Sequence, residues 1–136
     1  MAYEYYLQAY LNQEPQEIQV DFIIALLTKY ISSAGENFVD ICFDHENGCT
    51  IFMDRNSKFI GNLTISRPCS GPDFSELIYQ LMQTGNFIFF EPDGKYPIIL
   101  SANIEAHLPP EMIETLGKPK TAVSKEHFFE LLANAR

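Results

Sequence analysis

FVDICFDHENGCTIFMDRNSKFIGNLTI, residues Phe38 to Ile65, reads as three alternating apolar runs separated by two short polar turns. Asn47-Gly48 in the first turn is the strongest short-range hairpin signal a chain can carry. Val39, Ile41 and Phe43 alternate, as do Ile51 and Met53 and then Phe59, Leu63 and Ile65, and every one of these positions is odd-numbered. Antiparallel neighbours place odd residues on one face only if each connecting loop holds an odd number of residues. Glu46-Asn47-Gly48 satisfies this as a three-residue loop with Gly48 in the left-handed conformation, and Asn56-Ser57-Lys58 can do the same. A slip of one residue turns a whole strand over, so the apolar pattern sets the register.

The even-numbered face then collects Asp40, Cys42, Asp44, Thr50, Phe52, Asp54, Ile60, Asn62 and Thr64, with Asp40 opposite Asp54 and Asp44 opposite Thr50. Like charges directly across a ladder cost about 0.2–1 kcal/mol. Either a local cation relieves them, Lys58 and Arg55 being nearest in sequence, or a cation from a partner sits between them. Phe52 has two readings as well. Ringed by acids, it is an anchor for a basic partner; beneath a helix, beside Cys42 and Ile60, it is core.

Working outward, the aromatics of Tyr3 to Leu11 suit a first strand, although Leu7, Tyr10 and Leu11 also fit a helical period. Pro15 suits the first turn of a helix running to about Ile31 or Ser32, apolar on most sides and therefore expected to be buried on more than one. Gly35 would stop it. On the other side, Ser70 or Asp73 caps a second helix whose stripe is Phe74, Leu77, Ile78, Leu81 and Met82. The segment Phe87 to Glu91 is a continuous apolar strand, Pro92-Asp93-Gly94 a turn, and Tyr96 to Leu100 the return strand. Pro109 and Pro110 open a short helix ended by Gly117. Ser124 caps a last one, with Val123 and Phe128 placed as a hydrophobic staple. The expected order is β-α-β-β-β-α-β-β-α-α: a single α+β domain over 1–136, with a mostly antiparallel sheet of five to six strands.

At 136 residues and 46% apolar composition the chain can bury a core without staples. Eighteen acids against nine bases leave a net charge of −9, which disfavours nucleic acid and anionic membrane and favours a basic partner or simple solubility. Cys42, Cys49 and Cys69 match neither a zinc pattern nor a disulfide framework. MAYEYYLQAY has no basic segment followed by a long apolar run, and Phe22 to Leu27 is too short to span a bilayer, so a cytoplasmic protein with free thiols is expected.

No catalytic motif emerges. His45, His107 and His127 belong to no metal or catalytic spacing. Cys42 and His45 point to opposite faces of a strand and would not pair. Asp40, Asp44 and Asp54 carry enough charge for calcium, but no loop of the DxDxDG kind accompanies them. The glycines are dispersed, so no phosphate cradle forms. No metal and no cofactor is expected. A small enzyme using loop carboxylates such as Glu91 and Asp93 lacks a paired spacing to support it. Recognition is what remains, through Asp40, Asp44, Glu46, Phe52, Asp54, Glu91 and Asp93.

YPIILSANIEAHLPPEMIETLGKPKTAVS, Tyr96 to Ser124, resembles the late part of some immunity proteins of bacterial polymorphic toxin systems: a strand, a short proline-started helix and a Gly-x-Pro turn. The resemblance implies a protein that performs no chemistry and binds one cognate toxin, which the −9 charge suits if that toxin is basic. The middle of the chain is similar to the small acidic chaperones of type III secretion effectors, usually dimers that wrap an unfolded effector segment. The additional first strand and the two-helix tail depart from that pattern. Neither resemblance carries over a site residue or fixes the oligomeric state.

Overall fold

The computed structural model describes residues 4–135. Its frame is β1 (Glu4–Leu11), where Tyr5, Leu7 and Ala9 are buried and the intervening side chains are not. Tyr3, expected at the start of this strand, lies outside the described residues. Asn12 and Gln13 both take positive φ, 52° and 68°, which makes the primed turn that matches strand twist. They fold β2 (Glu14–Pro15) back onto Tyr10 and Leu11. Pro15 therefore ends up in a hairpin and not in the first turn of a helix.

The expected helix over Pro15–Ile31 is correspondingly shorter. After β3 (Ile18–Gln19), α1 covers Val20–Leu27 and a 3-10 turn follows at Thr28–Tyr30. Val20, Ile23 and Leu27 form the buried stripe, while Phe22 is 57% exposed, so the helix is buried on one side only. The apolar residues that widened its pattern belong elsewhere. Ile18 pairs with Ile60, and Ile31 starts β4 (Ile31–Ala34), which pairs with β5 (Phe38–Cys42) across a bulge. Gly35 thus closes a β-turn region rather than a helix.

The hairpin of β5 and β6 (Gly48–Phe52) keeps the odd positions in the core but with a shifted register. Asp40 lies opposite Thr50, Ile41 opposite Cys49 and Phe38 opposite Phe52. The loop is Phe43–Asn47, five residues instead of three. Asp44 explains this, because its carboxylate accepts from the Glu46 and Asn47 amides at 2.8 and 2.9 Å and from the Asn47 side chain. Asp44 is a turn residue that competes with the ladder for the backbone, so it does not face Thr50. The Asp40–Asp54 opposition does not form either.

The second turn also differs from expectation. β7 (Phe59–Ile60) leaves the main sheet to pair with β3, and the Val20 amide donates to the Lys58 carbonyl at 2.9 Å. Ile60 is buried and Phe59 is 44% exposed, the reverse of the alternation read along the strand. The main sheet resumes at β8 (Asn62–Ser66), where Leu63 and Ile65 are buried as expected.

The second helix, α2 (Pro72–Met82), buries Phe74, Leu77, Ile78, Leu81 and Met82. Neither Ser70 nor Asp73 caps it. Gly71 does so without a side-chain bond, at φ 111°, a conformation open to glycine. β9 (Phe87–Phe90) and β10 (Ile98–Ile99) are antiparallel, and α3 (Ala102–Glu105) and α4 (Pro110–Leu116) then cross back to β11 (Lys120–Thr121), parallel to β10. α5 (Lys125–Asn134) starts on Ser124, whose hydroxyl accepts from the His127 amide. The staple is absent. Val123 is 82% exposed and its amide donates to His127 Nδ1.

The order across the sheet is β11-β10-β9-β1-β8-β6-β5-β4, with β2 beside β1: an α+β fold with a mostly antiparallel sheet, extended beyond six strands by short edge pieces. α1, α2 and α5 share one core with the odd face, joining Leu7, Ile51, Leu63 and Ile65 to Ile23, Leu77, Ile78 and Phe128. α3 and α4 cover the opposite face only at the β9–β10 end, through Ile88, Ile99, Ile104 and Leu108. This is why β9 reads as unbroken apolar sequence, since strands buried on both faces lose alternation. No helix of the described residues is long and apolar enough to cross a membrane.

Ile60→Ala should cost about 2–4 kcal/mol in urea denaturation, as for a buried aliphatic deletion, whereas Phe59→Ala should cost about 1 kcal/mol or less. The opposite ranking would mean that β7 stands in the main sheet.

Candidate functional site

Even-numbered side chains on β5, β6, β8 and β1 point away from the three-helix core. Cys42 and Asn62 are exposed, Phe52 is 44% exposed, and Asp40, Thr64, Ser66 and Tyr6 are half-buried. The face that would have made Phe52 core, had a helix covered it, is open at this end of the sheet.

Registers across four consecutive strand pairs bring its residues into rows. Phe38 faces Phe52, Phe52 faces Thr64, Thr64 faces Tyr6 and Tyr6 faces Phe90. The rings of Tyr6 and Phe90 stack at 5.3 Å between centroids. The neighbouring row is polar: Ser33, Asp40, Thr50, Ser66 and Glu4. Sequence reasoning picked out Phe52 but missed Phe38, Tyr6 and Phe90. Odd–even parity applied to β1 would have placed Tyr6 there.

Asp40 is held within the chain. Thr50 Oγ1 donates to Asp40 Oδ1 at 2.7 Å, Ser33 Oγ donates to Oδ2 at 2.8 Å, and Arg67 Nη2 donates to Thr50 Oγ1 at 2.8 Å. The Thr50 and Ser33 hydroxyls, with the Arg67 charge behind them, hold the Asp40 carboxyl below its usual range. Arg67 takes φ 53°, unusual for a side chain of its size, and through it Thr50 is buried as a polar residue. The local cation near Asp40 is therefore Arg67, which follows β8, and neither Lys58 nor Arg55. The Arg55 guanidinium donates to the Gly35 carbonyl.

Asp40, Asp44 and Glu46 line one shallow cleft of about 450 Å³ with Cys42, His45 and Arg67. Asp44 is also held below its usual range, by the Asn47 side chain and the Glu46 amide. Asp54 is exposed just beyond Phe52, and its Oδ1 accepts from the Asn56 amide. Glu91 and Asp93 lie elsewhere, in the turn after β9, where the Glu91 carbonyl accepts from the Gly94 amide. Three strands separate β9 from β5, so the seven residues span the width of the face and do not form one patch.

Among the described residues, no group of three or more His, Cys, Asp or Glu could hold a metal ion. Cys42, Cys49 and Cys69 are free thiols, and burial pushes Cys49 up to about 12, which suits packing and not nucleophilic attack. No family model, curated protein or solved structure matches the chain.

The Asp40 carboxylate is stabilised in the fold, so its contribution is complete above its unfolded value of about 3.9 and is lost as pH falls through the lower folded value. The stability difference between wild type and Asp40→Asn should accordingly be largest near pH 7 and shrink below about pH 4. Thr50→Val should cost about 1–3 kcal/mol at pH 7, as for a hydrogen bond to a charged group. Chemical denaturation at pH 7 and pH 3 checks both, and a pH-independent difference for Asp40→Asn would refute the network.

Proposed function

We propose that the chain is a binding protein that neutralises a cognate basic bacterial toxin by direct contact, in the manner of an immunity protein. The observation that carries this reading is Phe52, a large apolar side chain left 44% exposed at the end of β6 on the open sheet face, with exposed Asp54 two residues beyond it. A folded chain gains about 25 cal/mol for each Å² of apolar surface it buries, so leaving a phenylalanine exposed between polar rows forgoes stability that a partner can recover. Aromatic anchors within a polar surround are the usual anatomy of a protein-binding hot spot. The net charge of −9 supports the choice of a basic partner, because complementary fields raise association rates and suppress wrong partners. The proposal involves no chemistry on the toxin; occlusion is sufficient.

An immunity protein should be encoded beside a larger toxin, and the test is co-expression with such a neighbour. Growth should be restored only when both are present, and the purified proteins should form a complex that weakens as salt rises. Glu46 and Asp54 are exposed, so the double variant Glu46→Lys/Asp54→Lys should fold normally and bind about tenfold more weakly, chiefly through a slower association rate in stopped-flow measurements. Unchanged affinity would remove the electrostatic part of the proposal. A stable homodimer that captures an effector's N-terminal segment, without rescuing growth, would replace it with secretion chaperoning.

A further inference from the structure

The row that runs across the open face has a definite shape. Phe38, Phe52, Thr64, Tyr6 and Phe90 occupy facing positions on five successive strands, β5, β6, β8, β1 and β9. At about 4.8 Å between strands the row is roughly 19 Å long, the reach of about six residues of extended chain. One end is anchored locally, because the Phe38 ring lies against Gly35, where even a methyl group would come within 2.4 Å of Phe38 Cε1. The other end abuts the α3–α4 cover, where Phe90 packs beside Ile88 and Ile99. The strip thus runs from the Gly35 turn at one end to the small core under α3 and α4 at the other, and is open between them.

We propose that this aromatic row is the docking strip for an arginine-bearing segment of a basic polypeptide, a proposal that rests on the reading of the chain as a protein-binding module and names the surface it uses.

Charge selects the occupant. The polar row on one side carries Asp40 and Glu4, and exposed Asp54 lies just past the end of β6 on the other. Two arginines reach the margins of the row, and both guanidinium groups are already bonded within the chain: Arg67 to Thr50, and Arg55 to the carbonyl of Gly35, beside Phe38. A second copy would bring the same carboxylates face to face, each chain carrying −9, and nucleic acid or anionic lipid would bring more negative charge. Arginine satisfies both features of the strip. Its apolar stem and flat guanidinium lie on aromatic rings, and its five donors reach carboxylates at the margins. Lysine supplies the charge but not the stacking plane.

The experiment is a ¹⁵N–¹H titration of the full chain with a twelve-residue peptide alternating arginine and leucine, beside lysine–leucine and glutamate–leucine counterparts. The arginine peptide should bind saturably and more tightly than the lysine peptide, and the glutamate peptide not at all. Shifts should be confined to the amides of the row and its flanking residues. Phe52→Glu should weaken binding at least tenfold, and Thr64→Lys, which places a cation in the same row without touching core, should do likewise if Phe52→Glu does not fold. Glu126→Gln, exposed on α5 at the opposite side of the sheet, should change it less than twofold. Shifts centred on the His45 cleft or on Phe22 and Phe59, equal binding of the arginine and lysine peptides, or self-association in light scattering that Phe52→Glu abolishes would overturn the proposal. The toxin assay separates the two readings. If Phe52→Glu still restores growth, the strip is wrong and the toxin reading stands; if the wild type never restores growth while the peptide binds the row, the toxin reading fails and the strip stands.

Discussion

Everything in this fold depends on β1 being paired on both sides. It bonds to β8 over Glu4–Gln8 and to β9 over Tyr6–Ala9, and so joins two halves that otherwise touch mainly through helices. Leu7 stands between Leu63 and Phe89, all three essentially excluded from water. The turn that supplies β2 leaves β1 on the same side of the sheet and adds a bond from the Gln13 amide to the His107 carbonyl, tying the hairpin to the segment after α3. Remove the β1 pairings and the odd-face core divides into two parts, neither with a complete sheet beneath it.

The same strand explains why the two faces of the sheet differ. Three helices are enough to cover the odd face, and their buried stripes meet it over its whole width. The even face is covered at one end only, because α3 and α4 are short and belong to the crossover that brings β11 alongside β10. The remaining strands must therefore carry side chains tolerable in water. Thr64, Ser66, Asn62 and Gln8 meet that requirement, and Asp40 meets it through Thr50 and Ser33. The aromatic row is the exception on this face.

How much of this was legible in the residues varies in an instructive way. The odd-numbered core of β5, β6 and β8 was readable, because apolar alternation survives any even shift of register. The register itself was not, since it turns on Asp44 binding the amides of Glu46 and Asn47, a side-chain effect that alternation does not report. Phe59 and Ile60 exchanged faces because their partner, β3, lies some forty residues earlier in the chain. Pro15 was compatible with a helix start or with an edge strand. The Asn12 turn decided between them, and asparagine's tolerance of positive φ was the available sign. Of the candidate site, single residues were visible and their arrangement was not. Phe52 stood out locally, but a row across five strands compounds four registers, and each needs its own long-range partner.

The central place of β1 also has a kinetic side. The strand is synthesised before either of its partners, and the ladder it belongs to cannot close until the chain has been extended past β9. Before β8 is made both edges of this apolar strand lack their partners and only the two-residue β2 can pair with it, and until β9 follows one edge stays open. Pairings of this sequence separation make folding slow relative to helical proteins of the same size. They also leave the nascent chain dependent on its surplus of acidic side chains to keep it from associating with its neighbours. Negative charge in this protein therefore acts twice: on the finished surface, and earlier, while the middle strand waits for its neighbours to be made.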